Sequence, residues 1–380
     1  MNLSRAESGS EAAAKPLLRH SGSRAVVADD PDLLKLMIDD AEQSSALWRP
    51  TPYWQGYSER IRRELARSGL ANFRANQRLL KGFGLGGLPE PELPPSGWKR
   101  FIWHAFEQLP GVRQILAEHR RILKAEYEHH KEIRRLHGQL AMDEIARAFP
   151  YVDPPPGLAN GGADDAFLWR NRLLVPSFVM YLSRTADFYA HMPPAEVNCL
   201  IEVGPGLGLS SLAHMALNPG LRLIVNVDIV PVLYVSTQFL RSIPGVRVVD
   251  YRATRDKDII RAELAAGQVT IYQLAPWQLP RLQGTFDFFF NAFSFQEMER
   301  EVCASYAEQV KRLVRKGVML HSKVAGHQPG AGGQLSPVTF DFLQSLFDEA
   351  FPIIAHPANL WPRLFGGPPD SARLLTRHAA

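Results

Sequence analysis

The spacing of apolar residues divides this chain near residue 195. Upstream they recur every three or four positions, the period of helices with one buried face. PDLLKLMIDDAEQ (31–43) predicts a first helix, capped by Asp30 and opened by Pro31. GYSERIRRELARSGL (56–70) predicts a second. A long helix is predicted over about 112–148, where Ile115, Ile122, Ile133, Leu136 and Leu140 share the period. FLWRNRLLVPSFVMYLSRTADFYAH (167–191) is expected to be helical as well. PELPPSGW (91–98) and YVDPPPGLANGG (151–162) interrupt the pattern as loops. Residues 1–28, rich in Ser, Ala, Arg and Glu without periodicity, read as a disordered tail.

Downstream the rhythm changes. NCLIEV, LRLIVNVD (221–228), VTIYQL (269–274), FDFFFN (286–291) and KGVMLHSKV (316–324) read as strands. Helices are expected between them, near 208–217, 231–242, 255–266, 296–315 and 336–350. Near-continuous apolar strands alternating with helices imply a mostly parallel sheet covered on both faces, an α/β fold. FPIIAH (351–356) and SARLLTRH (371–378) leave no room for a crossover helix, so they should pair antiparallel. The expected organisation is a tail over 1–28, a helical region over 29–195 and an α/β domain over 196–380.

Composition narrows the function. The chain has 380 residues, 46% hydrophobic and 22% charged, and its formal net charge is 43 − 39 = +4. The basic stretch at 119–137 is interleaved with Glu126, Glu128 and Glu132, which reads as a solvated helix face rather than a nucleic-acid interface. Cys199 and Cys303 have neither metal spacing nor a disulfide framework around them. The start lacks the apolar stretch of a secretory signal, and no apolar run is long enough for a membrane span. The expectation is a soluble, cytoplasmic protein.

The chemistry is carried by LIEVGPGLGLSS (200–211). A dinucleotide fingerprint, G-x-G-x-x-G/A, would put its third small residue at position 209, where bulky Leu209 stands. The glycines instead follow G-x-G-x-G at Gly204, Gly206 and Gly208, with Glu202 two positions ahead. A carboxylate there repels a pyrophosphate and attracts an ammonium group. Asp228 ends the next strand, twenty residues after Gly208, where a carboxylate can accept from both hydroxyls of a ribose. An ammonium, a ribose and no phosphate describe S-adenosylmethionine.

On these residues the second half of the chain resembles a class I S-adenosylmethionine-dependent methyltransferase. More narrowly, the chain resembles the putative sugar O-methyltransferase family. The matching pieces are WRPTPYWQGY (48–57), NFR (72–74), EVGPGLG (202–208), VDIVPVLYVSTQFL (227–240), APWQL (275–279) and NAFSFQEM (291–298). VDIVP and Phe293 depart from the pattern. The resemblance implies a Rossmann-like seven-stranded methyltransferase sheet, mostly parallel with an antiparallel C-terminal hairpin, preceded by the α-helical N-terminal region. It also implies a role in natural-product or glycan biosynthesis.

Ligands of such sheets sit at the carboxyl ends of the strands. Glu202, the three glycines, Asp228, Ile229, Trp277 and Asn291 are therefore the cofactor-binding candidates. Ser294, Gln296, Tyr53 and Trp54 are candidates for holding the acceptor, with the alternative that Ser294 and Glu297 form a helix-capping box. A hydroxyl gains from a positioned base. His321 is the first candidate because its ordinary pKa suits proton acceptance near neutrality, and Glu297 is the second. Lys323 and His327 follow in the same loop, and GHQPGAGGQ (326–334) is glycine-rich enough for a lid. No ligand cluster has metal spacing, although a divalent metal remains an alternative activator.

The expected partner is a small-molecule or sugar-bearing substrate, with a homodimer open, and neither nucleic acid nor membrane. The readings weighed against a sugar O-methyltransferase are transfer to a non-sugar hydroxyl, an NAD-dependent oxidoreductase and a degenerate partner subunit.

Overall fold

A computed structural model describes residues 25–83, 85, 110–326, 336–347, 350, 351, 353–355 and 371–376. PELPPSGW, His327 and the glycine-rich stretch after Gly326 lie outside the described residues.

The first helix, α1 (Pro31–Gln43), starts as its sequence dictates. The Asp30 carboxylate accepts from the Leu33 amide at 3.0 Å, and Leu33 and Met37 are buried one turn apart. Helix α2 (Pro52–Ser68) begins four residues before the expected start, because Pro52 supplies a first-turn position preset for helix. Helices α3 (Gln77–Lys81) and α4 (Pro110–Ala148) follow. Residues 25–28, expected to belong to a disordered tail, are tied to the fold at Ala25 and Val27. The Val27 amide donates to Ala71, and the Val27 side chain is buried.

The stretch 167–191 is not one helix. Strands β1 (Phe167–Trp169) and β2 (Arg172–Leu174) form an antiparallel hairpin, and only then does α5 (Pro176–Tyr189) start. Arg170 and Asn171 turn the hairpin at φ 43° and 64°, a left-handed pair that an asparagine tolerates. Pro176 bars Val175 from helical geometry and opens α5.

The described residues form an eight-stranded sheet. Its strands are β3 (Cys199–Val203), β4 (Leu223–Val227), β5 (Val246–Val249), β7 (Val269–Leu274), β9 (Phe286–Ala292), β10 (Val314–Lys323), β11 (Ile353–Ala355) and β12 (Ser371–Thr376). Their spatial order is β11-β12-β10-β9-β3-β4-β7-β5. From β10 to β5 every pairing is parallel, while β12 runs antiparallel to both β10 and β11. This is the Rossmann-like sheet of the methyltransferase fold with the expected antiparallel hairpin. The additional strand is β5, at the far edge. With Arg247 exposed and only one neighbouring strand, it lacks the continuous apolar run that identified the others.

The helix expected at 255–266 is absent. The Asp250 side chain caps one short turn, α8 (Tyr251–Thr254), and the chain then forms β6 (Ile260–Arg261), paired with β8 (Leu282–Gln283). The Tyr272 hydroxyl accepts from the Glu263 amide, and Thr270 accepts from Ala265, so sheet side chains take the bonds a helix would have made.

One sheet face packs α5, α6 (Leu209–Leu217) and α7 (Val232–Arg241); Leu33, Phe73, Phe178, Leu200, Ile224 and Phe288 belong to one buried cluster. The helical region and the sheet thus share a core. The other face packs α9 (Arg300–Leu313) and α10 (Phe340–Ser345) on Ile201, Val225 and Phe289. Among the described residues no helix is long and apolar enough to cross a membrane.

Candidate active site

The carboxyl ends of β3, β4 and β9 open into a cavity of about 270 Å³. Its far wall comes from residues 47–57, the tryptophan-rich segment that leads into α2.

The glycine turn links β3 to α6. Gly204 sits at φ +73°, and its amide donates to the Val227 carbonyl at 2.8 Å, joining the ends of β3 and β4. A Cβ on Gly204 would meet Ser294 Cβ at 2.3 Å, so no side chain fits there. Gly206 faces the cavity, and its amide donates to Asp228 Oδ2 at 2.9 Å. Gly208, at φ +77°, caps α6 against Leu240 and does not line the cavity.

Asp228 and Ile229 line the cavity at the end of β4. Asp228 Oδ1 accepts from the Ile229 amide at 2.7 Å, and burial raises its pKa to about 7. Glu202 lies behind the turn instead. Its Oε2 accepts from the Ser210 hydroxyl at 2.7 Å, it is 1% exposed, and burial raises it to about 8. The carboxylate expected to draw an ammonium group is therefore outside the cavity wall.

These two acids set a pH dependence. Both have folded-state values above their ordinary 4.5 and 3.8, so the stability they contribute is present at low pH. It is lost as pH rises through about 7 and then about 8. The thermal stability of the ligand-free protein should therefore fall from pH 5 to pH 8. Glu202→Gln should flatten that slope; an unchanged slope in this variant would locate the titration elsewhere.

The loop after β9 is tied to the glycine turn. Asn291 Nδ2 donates to the Val203 carbonyl at 2.8 Å, and the Ser294 hydroxyl donates to the same carbonyl at 2.9 Å. Ser294 lines the cavity and Asn291 does not. The alternative capping box is not formed, because Ser294 precedes a short 3₁₀ turn (Phe295–Glu297) and makes no side-chain cap bond. Gln296 is buried and accepts from the Lys323 amide at 2.8 Å, bridging the loop to β10 away from the cavity.

Glu297 lines the cavity, and the Trp54 indole N–H donates to its Oε2 at 3.1 Å. Tyr53 and Trp54 both line the cavity, with ring centroids 5.7 Å apart, and Tyr57 stands 5.1 Å from Tyr53. Burial, then the charge of Glu297, pushes the Tyr53 phenol up.

The structure separates two expected site residues from the cavity. Trp277 donates through Nε1 to the Tyr251 hydroxyl at 3.2 Å and lines a shallow surface depression with Asp40 and Arg255. His321 is 2% exposed on β10, beneath the Phe293 ring at a centroid distance of 6.2 Å. Burial, then the charge of Arg184, holds this imidazole neutral, its pKa lowered to about 3.

Tyr181 and Arg184 line the cavity from α5 and were not anticipated. An arginine on a mostly buried helix was the available signal. Phe293, noted only as a departure from the family pattern, stands at φ +70° and also lines the cavity. Among the described residues no group of three or more His, Cys, Asp or Glu side chains is placed to hold a metal ion.

No family model matches this chain, and no curated protein sequence matches it. Among solved structures it is similar to the magnesium protoporphyrin IX methyltransferase of Synechocystis PCC 6803 with bound S-adenosylhomocysteine. That likeness is 12% identical, covers 54% of this chain and 85% of the other, and has a TM-score of 0.35. The mitomycin 7-O-methyltransferase is 10% identical over 88% of this chain and 75% of its own, at a TM-score of 0.37. An S-adenosylmethionine-dependent methyltransferase of Leishmania major is 11% identical over 61% of this chain and 82% of its own, at 0.37. The fold assignment rests on the strand order and pairing described above.

Proposed function

We propose that the protein is an S-adenosylmethionine-dependent O-methyltransferase that acts on a small-molecule hydroxyl, with a sugar-bearing acceptor as the substrate class. The observation that carries this reading is the cradle of Gly204, Gly206 and Asp228 at the cavity floor. Gly206 is open toward the cavity, with the Tyr181 hydroxyl 3.9 Å from where its Cβ would stand. Gly204 and Gly206 would hold the amino-acid end, and Asp228 would accept from the ribose hydroxyls beside Ile229. When bound, the cofactor supplies an electrophilic methyl group on a sulfonium.

The chain's own residues do the rest. Closely aligned donor and acceptor convert an in-line displacement into an effectively unimolecular step. The helical region supports that alignment, since residues 47–57 wall the cavity opposite the glycine turn. Tyr53, Trp54 and Tyr57 offer aromatic faces suited to the apolar side of a sugar ring. Glu297, in the loop after β9, is a cavity group able to accept the hydroxyl proton, and the Trp54 N–H fixes one of its oxygens. His321 is less suited, being screened by Phe293 and held neutral with a weak affinity for protons.

Thermal melting with added nucleotides tests the reading. S-adenosylhomocysteine should raise the melting temperature, because a ligand selective for the folded state stabilises it, and NAD should not. Stabilisation by NAD alone would overturn the proposal. Methyl transfer from labelled S-adenosylmethionine to a panel of sugars and of phenolic hydroxyls distinguishes the acceptor classes.

A further inference from the structure

The cavity places opposite charges on either side of its glycine turn. Asp228 stands on the β4 side. On the β9 side stands Arg184, with its guanidinium carbon 4.7 Å from the centre of the Phe293 ring and 5.2 Å from that of Tyr181. All four residues line the cavity. We infer that Arg184 binds the carboxylate at the amino-acid end of the cofactor; this rests on the proposed function.

A ligand with its ribose on Asp228 and its chain along Gly206 and Gly204 runs toward α5. Its one anionic group, a carboxylate, then arrives beside Arg184 on the β9 side of the turn. A guanidinium is a planar fork that matches a carboxylate with two parallel hydrogen bonds. The Tyr181 and Phe293 rings beside it hold the guanidinium at the cavity wall. Burial lowers the Arg184 pKa to about 10, so it remains charged at neutral pH and gains from an anion in the cavity.

Phe293 is a positioning residue for this cation. Its φ of +70° is strained for a side chain with a Cβ. Its amide donates to the His321 carbonyl at 2.9 Å, which helps hold that conformation and sets the ring under Arg184.

Titration calorimetry with two ligands tests the assignment. S-adenosylhomocysteine carries the amino-acid chain; 5′-deoxy-5′-methylthioadenosine has the same nucleoside and thioether without it. Arg184→Met should weaken S-adenosylhomocysteine roughly ten- to hundred-fold, as expected for lost charge-assisted bonds, and leave methylthioadenosine within about two-fold. Arg184→Lys keeps the charge without the fork and should fall between. Should Arg184→Met fail to fold, Arg184→Lys provides the same ratio of ligand affinities. Equal weakening of both ligands, or none, overturns the Arg184 assignment alone. Failure of the unaltered protein to bind either ligand overturns the proposed function and the assignment with it.

Discussion

Glu297→Gln is expected to lower kcat by roughly 10²–10⁴-fold, the usual contribution of a general base. The amide cannot take the hydroxyl proton, yet it has the shape of the carboxylate and keeps an oxygen for the Trp54 N–H. The contact between α2 and the loop after β9 therefore survives. Melting temperature should stay within a few degrees, and S-adenosylhomocysteine affinity should change by less than about three-fold, since the loss is confined to the transition state. His321→Ala serves as the comparison. That side chain is packed against Phe290 and Phe293, so its removal opens a buried void and should cost stability before it costs turnover. If Glu297→Gln turns over normally while His321→Ala is inactive but stable, Phe293 must move aside during the reaction. If a chelator abolishes activity and magnesium restores it, the proton is lost through a metal-assisted route.

Gly204→Ala is expected to have the largest effect on cofactor binding. Two independent penalties meet at this position. A residue with a Cβ in left-handed geometry costs about 1–2 kcal/mol. The new methyl would stand 2.3 Å from Ser294 Cβ and 2.4 Å from its Oγ. Ser294 cannot retreat freely, because its hydroxyl donates to Val203 and is bonded by Asn291. Relieving the clash therefore pulls the loop after β9 away from the end of β3, at a further cost of about 1–3 kcal/mol typical of overpacking. The melting temperature should drop by several degrees and S-adenosylhomocysteine binding should fall by roughly a hundred-fold or more. Gly204→Ala paired with Ser294→Gly removes the clash and leaves the backbone strain, so it should recover part of both losses. No recovery in the double variant would show that the contact with Ser294 is not what excludes a side chain.

The centre of the sheet was legible because its strands announce themselves. Phe288, Phe289 and Phe290 are buried on both faces of β9, and that burial requires an unbroken apolar run. The glycine turn was legible for a related reason, since Gly204, Gly206 and Gly208 all adopt positive φ, where residues with a Cβ are strained. Strand β5 escaped because an edge strand that is only partly buried needs no such run. The hairpin at 167–174 escaped because FLW and RLL satisfy strand and helix periods alike over so few residues.

For the site, the sequence by itself brought Gly204, Gly206, Asp228 and Ile229 to the cavity, because a strand end, a turn and a second strand end are local and adjacent in the sheet. Asp228 reaches Gly206 as a consequence of β3 and β4 pairing in register, Glu202 opposite Asn226. Only the tertiary structure decided which polar side chains face the cavity. Glu297 is brought to Trp54 across 243 positions of sequence, while His321, on the same strand end that made it a candidate, is turned under Phe293. Arg184 was hidden for the same reason: a helix pattern reports which face is buried, and it cannot report that part of the buried face opens onto a cavity. Periodicity encodes the distance of a residue from the solvent along one element. What lies on the other side of that element depends on chain segments far away, and their packing is set by the whole core.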